Sequence, residues 1–424
     1  ALLSYLLSLF SKETSVVLPI LMVLFHVFCS SSTNTLHAMI KRAKWSYLGY
    51  FIITGFYLFV RFVLFRHVYI RLDQSKQTLF VMIKVFASYI KLLFLPFNLN
   101  ADYVVPSVTS GIVSFVVSAL LVSTAIILIL RVCQHGKRYW FFPLWFIVTL
   151  LPVSNIIPIG NIMAERYLYI PIMGFCGVIG MLIQNCISGK NLATIGFVVI
   201  IIIASITSIY RNGIWRDEFT LWYSTVNREP GSVRAHLNLG VVHNAKGFYD
   251  YAELEYKKTL EINPRDIEAH YNMGNAYERK GMLDAAIKEY HETLRYNPVH
   301  ADAYNNLGSI YKNKHLFDRA IEFYKKAKQC NPFNLHYYNN LGLVYRENRL
   351  YDEALMEYKR AIELDPDNLD AHNNLGIVYV GMERINDAAV EFETAAQLDP
   401  KVANVHNNLG IVHAKQGNPD KAIR

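Results

Sequence analysis

The stretch that decides the fold of the second half of the chain is IEAHYNMGNAYERKGMLDAAIKEYHETLRYNP, residues 267–298. Gly274 sits in its first half, Ala286 twelve positions later, Tyr290 four further on, and Pro298 closes it. Each of these marks recurs with a step of 34. Gly stands at 240, 274, 308, 342, 376 and 410, preceded each time by Leu or Met, and Pro at 230, 264, 298, 332, 366 and 400. Ala follows at 252, 286, 320, 354, 388 and 422, and an aromatic at Tyr256, Tyr290, Tyr324, Tyr358 and Phe392.

A 34-residue period with small residues at fixed places is the tetratricopeptide pattern, in which Gly and Ala let two antiparallel helices approach closely. Residues 231–424 are expected to form an α-solenoid of six such repeats, the last stopping before its second helix is complete. The residue two before each Gly is Asn in every repeat: Asn238, Asn272, Asn306, Asn340, Asn374 and Asn408. It falls on the first helix of each unit, on the face expected to line a peptide-binding groove. An amide offers two donors and one acceptor oxygen, so a row of them can pair with the backbone of an extended peptide whatever its side chains are. Local hydrogen bonding within the repeat is the competing role for the same residues.

The first half is a different kind of polymer. Residues 1–229 hold 18 Lys/Arg against 7 Asp/Glu, whereas residues 230–424 hold 24 against 27. The basic balance of the whole chain therefore lies in its oily, acid-poor half, as membrane flanks do. No basic stripe interleaved with aromatics is present to read as a nucleic-acid footprint. Apolar runs near the length a helix needs to span, about 20 residues, lie at 45–65, 111–130, 140–158, 167–184 and 191–210. Two more, 1–29 and 79–97, are broken by Lys12-Glu13 and by Lys84 and Lys91. These define a multi-pass membrane domain over 1–210 and a connector over 211–230. Taking all seven as spans, loops 66–78, 131–139 and 185–190 carry seven Lys/Arg and the alternate loops carry four. The positive-inside rule then places Asp102, Glu165 and the repeats on the luminal side. The Lys41-Arg42-Lys44 cluster argues the other way.

Five cysteines, Cys29, Cys133, Cys176, Cys186 and Cys330, have no metal-ligand or redox spacing and read as small buried hydrophobes. The chain opens inside an apolar run without Met and stops partway through a repeat, which reads as a piece of a longer protein.

Few charges in the first half are placed for chemistry. Glu165 and Arg166 stand in LPVSNIIPIGNIMAERYLYIP, residues 151–171, bracketed by Pro152, Pro158 and Pro171. Prolines at membrane depth free backbone groups that must line protein or a polar cavity, and an Arg there can grip a phosphate with two parallel hydrogen bonds. A structural ion pair is the other reading. Lys12-Glu13 is either an intramembrane charge pair or an interfacial turn. Asp102 lies in the loop LPFNLNADYVVP, as a substrate contact or a plain turn residue.

LLSLFSKETSVVLP, LLFLPFNLNADY, PLWFIVTLLPVSNIIPIGNIMAERYLYIPIMGFC and IWRDEFTLW, in that order ahead of the repeats, resemble the transmembrane and tetratricopeptide-repeat (TMTC) O-mannosyltransferases. The Ala-Glu-Arg-x-Leu-Tyr-x-Pro stretch at 164–171 is the most specific element. The resemblance implies an all-α protein: the C-terminal part of a GT-C membrane domain followed by luminal repeats in the endoplasmic reticulum. The implied reaction moves mannose from dolichyl phosphate mannose to Ser or Thr of secretory-pathway proteins, cadherins among them. In such folds the catalytic acids lie in the first luminal loop, upstream of this chain, so no catalytic residue is carried over and the chain alone is expected to be inactive. Lys12, Glu13, Asp102, Glu165 and Arg166 remain as candidates at the lipid-phosphate site, with Arg166 facing the phosphate and Glu165 orienting it. No metal ligand is assigned. A membrane-anchored adaptor without catalysis is the alternative.

Overall fold

The computed structural model describes residue 5 and residues 13–29, 47–60, 75–94, 100–103, 112–134, 136–150, 168–186 and 190–418. Among the described residues every regular element is helical. The chain divides into two compact units, Ala1–Ala235 and His236–Arg424.

In the first unit the helices are α1 (Leu18–Cys29), α2 (Tyr47–Val60), α3 (Ser75–Phe94), α4 (Ile112–Cys133), α5 (Phe141–Leu150), α6 (Pro171–Cys186), α7 (Lys190–Ile214) and α8 (Glu218–Arg228). The long apolar run at 1–29 is not one α-helix, because a 3-10 turn over Glu13–Val17 precedes α1. Pro19 then falls in the first turn of α1, where its missing N–H would have had no partner. The connector is also helical. α7 runs on to Ile214, and α8 starts after Asp217, whose side chain accepts from the Thr220 N–H as an N-cap.

Among the described residues one window, Ser114–Arg131 in α4, is long and apolar enough to cross a membrane, and none of it is buried in the protein. Shorter apolar helices run over Ser15–Phe28, Tyr47–Val60, Phe141–Leu150 and Pro171–Met181. The seven-span reading thus rests here on one full-length span and four shorter apolar helices. α5 and α6 approach closely at Gly174, where a Cβ would stand 2.7 Å from the Phe142 carbonyl oxygen. Met82, Val85 and Tyr89 of α3 pack with Leu150 and Leu168 in a second small core. Of the cysteines, Cys133 is buried but Cys176 is exposed, on an outer face of α6 it shares with Ile172 and Met173. The expectation of burial fails there because α6 turns this apolar face away from the protein.

The second unit is the solenoid. Its helices alternate between 13 and 14 residues: α9 (Val233–Ala245), α10 (Tyr249–Ile262), α11 (Ile267–Arg279), α12 (Leu283–Tyr296), α13 (Ala301–Asn313), α14 (Phe317–Cys330), α15 (Leu335–Glu347), α16 (Tyr351–Leu364), α17 (Leu369–Gly381), α18 (Ile385–Leu398) and α19 (Ala403–Lys415). The periodic residues do what their spacing implies. Tyr256, Tyr290, Tyr324, Tyr358 and Phe392 are essentially fully buried, each against the Gly of its own repeat. A Cβ on Gly274 would meet the Tyr290 ring at 2.6 Å, well inside contact distance. Burying such a ring is worth about 1.5–3 kcal/mol, and one continuous core runs from Ala252 to Val412. Residues 419–424, the expected start of the last second helix, lie outside the described residues.

Candidate functional site

Three of the five lipid-phosphate candidates, Lys12, Glu165 and Arg166, lie outside the described residues. Glu13 opens the 3-10 turn that leads into α1. Asp102 is a half-buried loop residue whose Oδ2 accepts a hydrogen bond from Ser232 Oγ at 2.7 Å. Ser232 Oγ in turn accepts from the Ala235 N–H at 3.0 Å and so caps α9. Glu229 is nearby: burial raises its carboxyl above the ordinary range, and the charge of Asp102 pushes it further the same way. The structure therefore gives Asp102 a partner that sequence reasoning missed. No local pattern announces a bond between positions 130 residues apart.

Four helices of the same unit, α3, α4, α5 and α6, enclose an apolar groove of about 790 Å3. Its walls include Tyr89, Leu120, Ile129, Phe146 and Ile179, and among the described residues Lys91 is the one charged residue lining it. Such a space suits a hydrocarbon chain and offers almost nothing to a sugar or a peptide backbone. Among the described residues no cluster of His, Cys, Asp and Glu is arranged to hold a metal ion.

In the solenoid all six ladder asparagines are half-buried. Their amides are partly engaged with one another's repeats. Asn306 Nδ2 lies 2.9 Å from Asn275 Oδ1, 3.2 Å from the Tyr290 hydroxyl and 3.5 Å from that of Tyr271. The Tyr290 hydroxyl lies 2.7 Å from Asn275 Oδ1 and 2.8 Å from Glu278 Oε2, and its single proton serves one of these acceptors at a time. Burial, reinforced by Glu278, holds that phenol well above its ordinary pKa, so it stays a neutral donor. Further along, Asn340 Nδ2 donates to Asn305 Oδ1 at 2.8 Å and Asn408 Nδ2 to Asn373 Oδ1 at 3.0 Å. The acceptors Asn305 and Asn373 stand immediately before the ladder positions of the preceding repeats, Asn306 and Asn374. The Asn-Asn doublet was a visible signal, since it recurs with the same 34-residue step in the last four repeats.

A second polar series lies deeper. His236, His270 and His372, each four residues before its repeat's Gly, bond through Nδ1 to Glu255, Glu289 and Glu391 at 2.5, 2.7 and 2.7 Å. The other ring nitrogen of His270 and of His372 faces the carbonyl of Pro264 or Pro366. These links join the two helices of one repeat to the turn before it.

This geometry defines a tetratricopeptide-repeat protein, and models described as TPR or tetratricopeptide repeat match residues 242–281 with 350–383, 271–334 with 373–424, and 335–364. Among curated proteins the chain is similar to a protein O-mannosyl-transferase of Caenorhabditis elegans, 29% identical over 41% of this chain and 26% of that one. It is similar also to protein O-mannosyl-transferase Tmtc2 of Drosophila melanogaster, 33% identical over 24% of this chain and 11% of the relative, and to tmtc2 of Xenopus laevis, 34% over 27% and 14%. Over that part of its length the chain resembles proteins of the TMTC group. It spans between about a tenth and a quarter of the length of these relatives. Among solved structures, YrrB, described as a TPR protein with an unusual peptide-binding site, is 22% identical over 46% of this chain and 97% of that one, with a TM-score of 0.39.

Proposed function

We propose that this chain is part of a multi-pass protein O-mannosyltransferase of the endoplasmic reticulum membrane, with a GT-C-like membrane domain and luminal repeats. The reaction is transfer of mannose from dolichyl phosphate mannose to Ser or Thr of secretory-pathway proteins, cadherins being one candidate class, and the repeats hold the acceptor protein. The observation that carries this reading is the similarity to relatives named protein O-mannosyl-transferases, in a chain that joins apolar helices to a solenoid. The apolar groove between α3, α4, α5 and α6 supports it, because a lipid-linked donor needs a hydrocarbon site beside its chemistry. Arg166 grips the donor phosphate and Glu165 orients Arg166. Lys12 and Lys91 add positive charge near the headgroup. The catalytic acids are supplied upstream.

The test uses the full-length protein in native membranes, supplied with dolichyl phosphate [3H]mannose and a Ser/Thr acceptor. Label should enter the acceptor, and Arg166→Ala should abolish transfer while membrane insertion and thermal stability persist. Transfer unchanged in Arg166→Ala removes that residue from the donor site, and no transfer by the intact protein removes the activity. A glycosylation tag inserted in the repeats should be modified if they are luminal.

A further inference from the structure

The ladder face changes character along the solenoid. Three residues beyond the ladder Asn stand Val241 in the first repeat and Asn275 and Ser309 in the second and third, whereas the last three carry an unbroken apolar row, Leu343, Ile377 and Ile411. Residues three and four apart share one helix face, so each of these apolar side chains lies beside its own Asn doublet: 339–340, 373–374 and 407–408. Leu343 and Ile377 are half-buried and Ile411 is 48% exposed. The row is therefore surface in part, and its residues are spaced by one repeat.

The amides also differ. Asn306 faces three acceptors on its own Nδ2 and has little left to offer. Asn340 and Asn408 each place one N–H on the preceding repeat, and an amide has a second N–H and two carbonyl lone pairs. The last three repeats thus combine an apolar row with neighbouring amides that retain donor and acceptor capacity.

Spacing selects the conformation of what fits there. The first helices α15, α17 and α19 touch in succession, and touching helices lie about 8–10 Å apart. A polyproline-II segment rises about 3.1 Å per residue with three residues per turn. One repeat therefore matches about three residues, and side chains at i, i+3 and i+6 point to the same side. Its backbone makes no internal hydrogen bonds and is open to the amides. A β-strand turns residues three apart to opposite faces. A helix could match the pitch but keeps its backbone groups to itself.

We propose that the asparagine face of the last three repeats binds an extended, polyproline-II-like segment of a partner protein that carries a large apolar residue at every third position, Leu343, Ile377 and Ile411 receiving the side chains and the ladder residues Asn340, Asn374 and Asn408 the backbone. This rests on the reading that the repeats hold a protein, and it specifies what they hold.

The test uses the full chain in detergent and fluorescent peptides of about twelve residues. One has Leu at every third position among Pro, Ser and Gln. A second has the same composition with Leu at alternate positions, and a third is a helix former with Leu at i and i+7. The first should bind roughly tenfold more tightly than the others. Ile411→Ser and Asn374→Ala should each weaken it about fivefold or more, whereas Met356→Ser, on an exposed side chain of α16, should leave it unchanged. Circular dichroism melting separates lost binding from lost fold, and the partly exposed Ile411 keeps the test informative if Ile377→Ser unfolds the repeat. Equal binding of the three peptides, no binding at all, or full binding by a folded Ile411→Ser overturns the inference. Mannose transfer is measured separately: transfer without peptide discrimination sinks only this inference, and discrimination without transfer sinks only the activity.

Discussion

Ser232 Oγ donates to Asp102 Oδ2 at 2.7 Å across 130 residues of chain, and the same oxygen caps α9 through the Ala235 N–H. Two losses can therefore be separated. Ser232→Ala removes the cap, typically about 1 kcal/mol, together with a hydrogen bond to a charged group, about 1.5–3 kcal/mol. Asp102→Ala removes only the second. Thermal unfolding should rank Ser232→Ala as the more damaging, and Asp102→Asn, which keeps an acceptor oxygen, as the mildest. Glu229 should titrate lower once Asp102 is neutralised but stay above the ordinary range, since burial is the larger cause of its shift. If Asp102→Asn leaves stability intact yet stops mannose transfer, Asp102 has a donor-site role beyond this scaffold bond.

The Gly-aromatic contacts predict a cost for the smallest possible enlargement. A Cβ on Gly376 would stand 2.6 Å from Cε1 of the buried Phe392. Neither neighbour can give way at that depth. Gly376→Ala should destabilise the solenoid by about 1–3 kcal/mol through overpacking, whereas the same change at exposed Gly231, where nothing lies within 4 Å, should be far milder. Circular dichroism melts of the two variants make the comparison.

What could be read in advance follows from how local each signal is. The repeats were legible because Gly, Ala, the aromatic and Pro act within one 34-residue unit, and the structure puts each where its size demands. The apolar runs marked out helices, and the break at Lys12-Glu13 allowed a turn there, but nothing marked that the connector coils into α8. The Asn ladder was legible as a row. Its rungs, such as Asn340 to Asn305, were not, because they depend on how one repeat stacks on the next. The Ser232–Asp102 bond left no trace in spacing at all.

Two groups, buried His270 and half-buried Glu253, give the solenoid opposite pH limbs. Burial disfavours charge on His270, but its bond to Glu289, the Pro264 carbonyl and the charges of Glu289 and Glu292 outweigh this, and its pKa ends up raised. A raised His stabilises fully below its unfolded pKa, about 6.5, and the contribution fades as pH climbs through the folded value. Burial likewise opposes charge on Glu253, but bonds from Lys257, Lys280 and Tyr277 hold its carboxyl down at about 2. A depressed Glu stabilises above its unfolded pKa and is lost as pH falls towards about 2. Melting temperatures should therefore drop on both sides of mildly acidic pH. His270→Gln should flatten the alkaline limb alone, and Glu253→Gln the acid limb alone. An unchanged alkaline limb in His270→Gln would remove that pair as its source.

The turn between the two helices of each repeat offers a route to stabilisation. Its residue at 247, 281 and 417 is Gly with φ of +79°, +75° and +78°, and at the equivalent places His315, Arg349 and Glu383 adopt φ of +55°, +60° and +59°. Each of the latter carries a Cβ in the left-handed region, a cost of about 1–2 kcal/mol. Glycine removes that strain but frees the unfolded chain, returning about 0.4–1 kcal/mol. The balance favours glycine by several tenths of a kcal/mol up to about 1 kcal/mol per site. Arg349 and Glu383 are exposed, so little packing is lost. Arg349→Gly and Glu383→Gly should each raise the melting temperature by about 1–4 °C for a unit of this size. The sites lie one repeat apart on separate turns, so the two gains should add. The reverse change, Gly281→Arg, should lower the melting temperature by a similar amount. A fall in Arg349→Gly would mean that its side chain contributes more to the turn than its backbone strain costs.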